Sequence, residues 1–125
     1  MVKTRKILVI EDDQFIREMY CRELQKEGYD TDSTDNAEEG AKKIKQNKYD
    51  MVLVDIMLPG KNGLDMLKDF QERDGTKGAK FILLTNVGQD AVVKQGLELG
   101  AKGYFIKSSH TPSEIVQEIN NFFED

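Results

Sequence analysis

The sequence predicts an α/β protein in which one parallel β-sheet lies between two layers of helices. Five short strand-like segments alternate strictly with five helical patterns, and several of these segments are apolar throughout. A strand that is apolar on both faces must be covered on both, which a parallel sheet between helices achieves. The chain has 125 residues, close to the common size of one domain, so we expect residues 1–125 to form a single domain.

The first predicted strand, Ile7 to Ile10, is a run of four apolar residues. The helix after it has apolar residues at helical spacing, with Asp13 placed as its cap and Gly28 placed to end it. A shorter and more polar strand is predicted from Tyr29 to Thr34. The apolar stripe of the first helix consists of Ile16, Met19, Tyr20 and Leu24.

The middle of the chain repeats the pattern of helix, strand and helix. Asn36 can cap the second helix, and Glu39 lies where it would complete a capping box. Met51 to Val54 is the second clearly buried strand, and the segment RDGTKG, residues 73–78, has the composition of a turn. The apolar stripes of the second and third helices are Ala37, Ala41 and Ile44, and Leu64, Leu67 and Phe70.

The last third of the chain supplies two more strands, from Phe81 to Leu84 and from Tyr104 to Ile106. Between them, Gln89 to Leu99 is predicted to be a helix that Gly100 ends. The final helix has a strong start signal: Thr111 as cap, Pro112 as first residue and Glu114 bonding back. Its buried face would comprise Ile115, Val116, Ile119, Phe122 and Phe123.

Composition and charge exclude several classes of protein. The net charge is −5, with acids and bases mixed along the chain, which argues against binding of nucleic acid or of an anionic membrane surface. The apolar runs are far too short to span a membrane. The single cysteine, Cys21, excludes an internal disulfide framework and indicates a cytoplasmic protein.

Polar residues follow four of the five predicted strands. They are Glu11, Asp12 and Asp13 after the first strand, Asp55 after the third, Thr85 and Asn86 after the fourth, and Lys107 and Ser108 after the fifth. The carboxyl ends of parallel strands meet at one edge of the sheet, where ligands of such folds bind. We therefore expect acids, hydroxyl groups and one amine to lie together at that edge.

This set of side chains suits phosphoryl chemistry. Carboxylates about 4 Å apart repel by roughly 4 kcal/mol per pair at an effective dielectric near 20, which a divalent cation relieves. Oxygen ligands without histidine or cysteine favour magnesium, manganese or calcium over zinc. Glu11 and Asp12 are then the candidate metal ligands, and Asp55 is a candidate nucleophile that would form an aspartyl phosphate. The Lys107 amine and the Thr85 hydroxyl are candidates to bind the remaining phosphoryl oxygens.

The loop after Asp55 has the sequence IMLPGKNG, and its glycines indicate a tight turn behind the carboxylate. Gly60 and Gly63 allow backbone conformations and close approaches that other residues resist.

The motifs ILVIEDD, LVDIMLPGKNGLDML, FILLTN and GAKGYFIK occur in this order and together cover the chain from about Lys6 to its end. In these motifs the sequence resembles the receiver domain of a two-component response regulator, and in particular the single-domain receivers of the chemotaxis type. The resemblance implies a doubly wound, flavodoxin-like sheet of five parallel strands in the order 2-1-3-4-5, with five helices. We also expect no output domain in this chain, since the five strands and five helices account for its length.

The resemblance also implies that Asp55 is phosphorylated by a sensor histidine kinase or a phosphotransfer protein in a magnesium-dependent reaction, with manganese as a possible substitute. Glu11 and Asp12 match the acidic pair that binds the metal together with Asp55, and Met57 would contribute its backbone carbonyl. Such a protein is not a conventional enzyme, since it catalyses only its own phosphoryl transfer and dephosphorylation.

For the response to phosphorylation, the resemblance implies that Thr85 is the switch hydroxyl and Lys107 the phosphate-binding lysine. Tyr104 matches an aromatic position whose ring turns inward when Thr85 moves toward the phosphoryl group. The surface formed by Gln89 to Leu99, Tyr104 and Thr111 to Phe123 would then bind a downstream protein. The stretch GAKGY lacks the acidic pair of many receivers that dimerise on DNA, so we expect a monomer or weak dimer with a protein target.

Several positions depart from the family pattern. Ser108 stands where a cis proline is usual, and because a cis bond before serine costs about 3–4 kcal/mol we expect a trans bond after Lys107. Asn86 is larger than the usual small residue and could restrict access to the phosphoryl group. Met57 and Val87 are apolar at positions where the family varies its rate of dephosphorylation. We hypothesise that they hinder the attacking water and prolong the phosphorylated state.

The sequence leaves three other functions open. A pseudo-receiver would bind partners without phosphorylation, which the departures at Asn86 and Ser108 keep possible. A magnesium-dependent phosphohydrolase of the haloacid dehalogenase type needs a second acid two residues after the nucleophile, where this chain has Met57. A flavin module of the flavodoxin type needs a phosphate loop after the first strand, and EDDQF is too acidic for one.

Overall fold

The structure is a computed structural model that describes residues 4–58, 60, 62–73, 78–86 and 88–123. It contains one parallel sheet of five strands in the order β2-β1-β3-β4-β5, as the resemblance implied. The strands are β1 (Lys6–Ile10), β2 (Asp30–Thr34), β3 (Met51–Asp55), β4 (Lys80–Thr85) and β5 (Gly103–Ile106), and the helices are α1 (Gln14–Lys26), α2 (Ala37–Gln46), α3 (Gly63–Arg73), α4 (Asp90–Glu98) and α5 (Pro112–Phe122).

The helices cover both faces of the sheet, which confirms the prediction made from the apolar strands. Along β1, Ile7 and Val9 face α1 and α5, whereas Leu8 and Ile10 belong to the core beneath α2, α3 and α4. The same alternation along β3 and β4 produces two apolar cores that share one sheet. None of the described helices is long and apolar enough to cross a lipid bilayer.

The edge strand β2 is polar, with the sequence DTDST, and this explains its weak signal in the sequence. Asp32 on this strand accepts hydrogen bonds from the Tyr49 hydroxyl at 2.7 Å and from Lys43 Nζ at 3.4 Å. Burial raises the pKa of Asp32, but the Tyr49 hydrogen bond and the Lys43 charge together bring this pKa below its ordinary value. These polar side-chain contacts supplement the backbone ladder that joins β2 to β1.

The predicted helix starts are largely confirmed. The Asp13 side chain caps α1, and Asn36 caps α2 by accepting the Glu39 backbone N–H at 2.8 Å. A complete capping box is present at α5, between Thr111 and Glu114. The capping box expected at α2 is wrong in its second half, because the Glu39 side chain pairs with a lysine one turn later instead of bonding back.

The loop behind Asp55 confirms the predicted role of its glycines. Gly60 has a φ of +73°, a conformation that side chains resist. A Cβ atom on Gly63 would lie 2.7 Å from the backbone oxygen of Asp55, so only glycine lets α3 begin this close to the end of β3. Most of the predicted turn at residues 73–78 lies outside the described residues, as do Pro59 and Lys61 of this loop.

Candidate functional site

The candidate site lies at the carboxyl edge of the sheet, where the sequence predicted it. Glu11 directly follows β1, Asp55 is the last residue of the neighbouring strand β3, and Thr85 is the last residue of β4. These three are buried polar side chains, with exposed fractions of 0%, 3% and 1%. Burying a carboxylate is costly unless it is paired or bound to a cation, so the arrangement requires a charged partner.

Lys107 is that partner. Its Nζ lies 2.6 Å from Asp55 Oδ2, and 3.2 and 3.1 Å from Glu11 Oε1 and Oε2. The side chain reaches the carboxylates from a short 3-10 turn at Lys107–Ser109 that follows β5. The bond between Lys107 and Ser108 is trans, as expected from the serine, since none of the described peptide bonds is cis.

Burial and neighbouring charges both shift the pKa values of this cluster. Burial, followed by the charge of Asp55, raises the pKa of Glu11 to about 7, although Lys107 opposes the rise. Burial lowers the pKa of Lys107, but its hydrogen bond to Asp55 and the charges of Asp55 and Glu11 raise it overall above the ordinary value. One ammonium group therefore serves two crowded carboxyl groups, and the cluster retains an affinity for further positive charge.

A divalent cation fits the acidic side chains. Carboxylate oxygens of Glu11, Asp12 and Asp55 all lie within 4.8 Å of one another. Asp12 is exposed, so a cation could approach from solvent, and a donor set of oxygens alone suits hard ions such as magnesium or manganese.

Backbone contacts orient the two buried acids. The Met57 N–H donates to Asp55 Oδ1 at 2.9 Å, whereas the Met57 side chain is 53% exposed beside the site. The Asp13 N–H donates to Glu11 Oε1 at 3.3 Å. Each carboxylate is thus held on one side by the loop that follows it and on the other by Lys107.

Two further residues near the site, Arg17 and Gln89, were not predicted from the sequence. Arg17 Nη1 donates to the backbone oxygen of Glu11 at 2.8 Å, which ties the second turn of α1 to the acidic loop. The only signal for Arg17 in the sequence is a basic residue a few positions after the acidic loop. Many helices have a basic residue in that position, so the signal is weak. Gln89 lies close to Thr85 but carries no signal in the sequence, because glutamine is common on helix surfaces.

The hydroxyl of Thr85 is engaged toward α4. Its Oγ1 lies 3.0 Å from Gln89 Oε1 and 3.2 Å from the backbone oxygen of Asn86. Thr85 therefore reaches the predicted edge, but among the described residues its hydroxyl bonds to these two groups and not to the carboxylates. Asn86 itself is exposed, and Val87, the other departure in this loop, lies outside the described residues.

Tyr104 lies on β5 with 45% of its surface exposed. Together with Thr85 and Gln89 it lines a cavity of about 230 Å³ between α4 and β5. The structure therefore has the tyrosine ring outward, and the role of this ring as a switch stays a prediction.

Comparison with known proteins agrees with the fold. The sequence profile of the response regulator receiver domain family matches residues 7–120, and the chain belongs to this family. Phosphorylation and magnesium binding are features of the family.

Individual relatives give the same result. The transcriptional regulatory protein ResD of Bacillus subtilis is 33% identical over 114 residues, which are 91% of this chain and 46% of ResD. The chemotaxis protein CheY of Thermotoga maritima is 32% identical over 117 residues, which are 93% of this chain and 95% of CheY. The chain thus spans about half the length of ResD and nearly all of this CheY.

A solved structure supports the fold independently. The CheY-like receiver domain protein of Methanospirillum hungatei matches with a TM-score of 0.85 at 27% identity, over 96% of this chain and 94% of that one. The flavodoxin-like, doubly wound architecture is therefore shared with known receivers.

Proposed function

We propose that this protein is a phosphoryl-accepting signalling switch and that Asp55 is its phosphorylation site. The observation that carries the proposal is the contact between Asp55 and Lys107, with Glu11 and Asp12 beside it. A buried carboxylate next to a lysine and two further acids combines a nucleophile with the charges that a transferred phosphoryl group needs. The donor is a phosphohistidine of a sensor histidine kinase or of a phosphotransfer protein.

In the transfer, a carboxylate oxygen of Asp55 attacks phosphorus as the bond between phosphorus and the imidazole nitrogen breaks. The imidazole nitrogen keeps the electron pair and takes a proton from solvent, and Asp55 becomes an acyl phosphate. Lys107 exchanges its contact with the Asp55 carboxylate for one with a phosphoryl oxygen. Hydrolysis of the acyl phosphate by water later releases inorganic phosphate and restores the carboxylate.

Magnesium, or manganese in its place, would be held by the carboxylates of Glu11, Asp12 and Asp55 and by the backbone carbonyl of Met57. When bound, it would neutralise charge on the phosphoryl oxygens and on the crowded acids. Lys107 alone leaves this cluster with excess negative charge, which supports a requirement for the cation.

Phosphorylation would act through Thr85 and Tyr104 on the surface formed by α4, β5 and α5. We propose that this surface binds a downstream protein, that the protein is cytoplasmic and a monomer or weak dimer, and that it does not bind nucleic acid directly. The net charge of −5 argues against binding of nucleic acid, and the stretch GAKGY lacks the acidic pair of many receivers that dimerise on DNA. The chain would catalyse only its own phosphoryl transfer and dephosphorylation.

The main alternative is a pseudo-receiver that binds partners without phosphorylation. It is favoured by the exposed Asn86 and by Ser108, which replace the residues usual in the family. A phosphohydrolase is a weaker alternative, because the position two residues after Asp55 holds the apolar side chain of Met57.

The proposal is tested by incubating the protein with magnesium and acetyl phosphate and measuring its intact mass. We expect a gain of one phosphoryl group that depends on magnesium and is lost in the Asp55→Ala variant. If the folded protein binds magnesium but gains no mass from acetyl phosphate or from any histidine kinase tested, the pseudo-receiver becomes the better account.

A further inference from the structure

The side chain of Gln89 occupies an unusual position for the residue that precedes a helix. Gln89 is the N-cap of α4, yet its side chain makes no capping hydrogen bond. N-cap side chains usually accept a backbone N–H of the first turn, and glutamine is not a favoured residue for that purpose. Gln89 instead directs Oε1 to the hydroxyl of Thr85, at 3.0 Å.

The contact involves a buried hydroxyl group and a partly buried amide group. Thr85 is buried at the end of β4, and Gln89 is half-buried above it. A hydroxyl group both donates and accepts, so either orientation of the Gln89 amide forms a hydrogen bond with it. The single hydroxyl proton can also be donated to the backbone oxygen of Asn86 at 3.2 Å, and both acceptors belong to the segment between β4 and α4.

The same two side chains line the cavity of about 230 Å³ that Tyr104 also lines. Gln89 therefore contacts Thr85, which is predicted to move toward a phosphoryl group, and borders the space beside the tyrosine ring. A hydrogen bond that forms in only one of two conformations shifts the population toward that conformation.

We propose that Gln89 is a positioning residue that holds the Thr85 hydroxyl away from the phosphoryl position in the unphosphorylated protein. This inference rests on the proposed function, because it concerns the step in which Thr85 turns to a phosphoryl group on Asp55. Thr85 gives up its bond to Gln89 in that step, so Gln89 sets how strongly the unphosphorylated state resists activation.

The test replaces Gln89 by methionine, which keeps the length of the side chain and removes the amide. The backbone oxygen of Gln89 still accepts the Val93 N–H at 3.0 Å, so the start of α4 is retained. The readout is the affinity for beryllofluoride, a phosphoryl mimic, measured by NMR titration with magnesium. We expect Gln89→Met to bind about three- to tenfold more tightly than the original, the effect of one lost neutral hydrogen bond.

Two controls separate this role from a structural one. Gln95→Met makes the same chemical change on an exposed position of α4 and should leave the affinity unchanged. In a Thr85→Val background, Gln89→Met should also have no effect, because the bond is already absent. An unchanged affinity in Gln89→Met, or an equal gain in the Thr85→Val background, overturns the proposal.

A measurement without ligand separates this proposal from the proposed function. Failure of the original protein to bind beryllofluoride would count against Asp55 as phosphorylation site. The role of Gln89 is then tested through the χ1 rotamer of Thr85, which three-bond NMR coupling constants report. We expect one rotamer in the original and averaging in Gln89→Met, and an unchanged single rotamer overturns the proposal. If Gln89→Met does not fold, Gln89→Asn, whose amide is one methylene short of Thr85, replaces it in both measurements.

Discussion

Lys107 Nζ lies 2.6 Å from Asp55 Oδ2 and also contacts both carboxylate oxygens of Glu11. These residues are far apart in sequence and meet because β1, β3 and β5 deliver their carboxyl ends to one edge. The pair joins the proposed nucleophile to the charge that would stabilise its product. It also makes the ammonium group part of the stability of the fold when no cation is bound.

Replacing Lys107 should therefore destabilise the protein in the absence of divalent cations. In Lys107→Met, two buried carboxyl groups lose their only close cationic partner among the described side chains. We expect the free energy of unfolding to fall by about 2–3 kcal/mol, somewhat less than for a fully buried pair because solvent reaches this edge. Urea unfolding with a chelator at pH 7 measures the change.

Lys102→Met is the matched control, because this lysine is exposed and precedes β5. It should change the stability by no more than about 0.5 kcal/mol. Magnesium should restore part of the stability of Lys107→Met, since it supplies the missing positive charge. Equal stability of the two variants would argue against the role given to Lys107.

Gly63 should tolerate a side chain less well than Gly40, although both lie in helices. A Cβ atom on Gly63 meets the backbone oxygen of Asp55 at 2.7 Å, whereas one on Gly40 meets the far end of the Ile10 side chain at 2.5 Å. Backbone moves less readily than a side-chain terminus. We expect Gly63→Ala to lower the free energy of unfolding by about 2 kcal/mol and to slow phosphorylation, because Asp55 shifts.

Gly40→Ala serves as the comparison, measured in the same thermal and urea unfolding experiments. Its clash is offset in part by the better helix propensity of alanine, about 1 kcal/mol. If Gly40→Ala lowers the free energy of unfolding as much as Gly63→Ala does, backbone proximity is not the deciding factor.

The contact between Tyr49 and Asp32 should contribute a pH-dependent part of the stability. Tyr49→Phe removes the hydroxyl that donates to Asp32 at 2.7 Å, and we expect a loss of about 1 kcal/mol at pH 7. The folded-state pKa of Asp32 is below its ordinary value, so this contribution is complete above the ordinary pKa of 3.8. It disappears as the pH falls through the lowered folded-state pKa.

Urea unfolding of the original and of Tyr49→Phe across this range measures the difference directly. The gap between the two proteins should narrow in acid and stay constant above pH 5, well above the ordinary pKa of an aspartate. A gap that is independent of pH would mean that the hydroxyl contributes through packing and not through the Asp32 charge.

The exposed side chain of Met57 should slow hydrolysis of the acyl phosphate. It stands beside Asp55 and offers no strong acceptor to orient an attacking water. We expect an acyl phosphate that lasts well beyond seconds, and we expect Met57→Asn to shorten its lifetime several-fold. Loss of phosphoryl mass after removal of acetyl phosphate gives both rates, and a half-life of only seconds in the original protein would refute the hypothesis.

The sequence was sufficient to predict the sheet, its helix layers and the meeting of Glu11, Asp12 and Asp55 at one edge of the sheet. Apolar runs ending in Glu11 and Asp55 are local signals, and parallel topology brings such ends together without further information. The complete capping box at Thr111 followed from local sequence in the same way.

Other features depend on side-chain conformations that local sequence leaves free. Glu39 was as well placed for a capping box as Glu114, yet it pairs with Lys42 instead. Long side chains choose among partners of similar energy, which spacing alone does not distinguish. The contact of Gln89 with Thr85 is of the same kind, since it depends on one rotamer at the start of α4.

The proposed switch depends most on Asp55 as the residue that accepts the phosphoryl group, and chemical trapping tests this directly. The protein is phosphorylated with acetyl phosphate and magnesium, reduced with borohydride, digested and sequenced by mass spectrometry. Borohydride converts an aspartyl phosphate to homoserine and leaves free carboxylates unchanged. We predict homoserine at position 55 alone. Homoserine at Asp12 or at another aspartate, with position 55 unmodified, would contradict the assignment of Asp55 as the phosphorylation site.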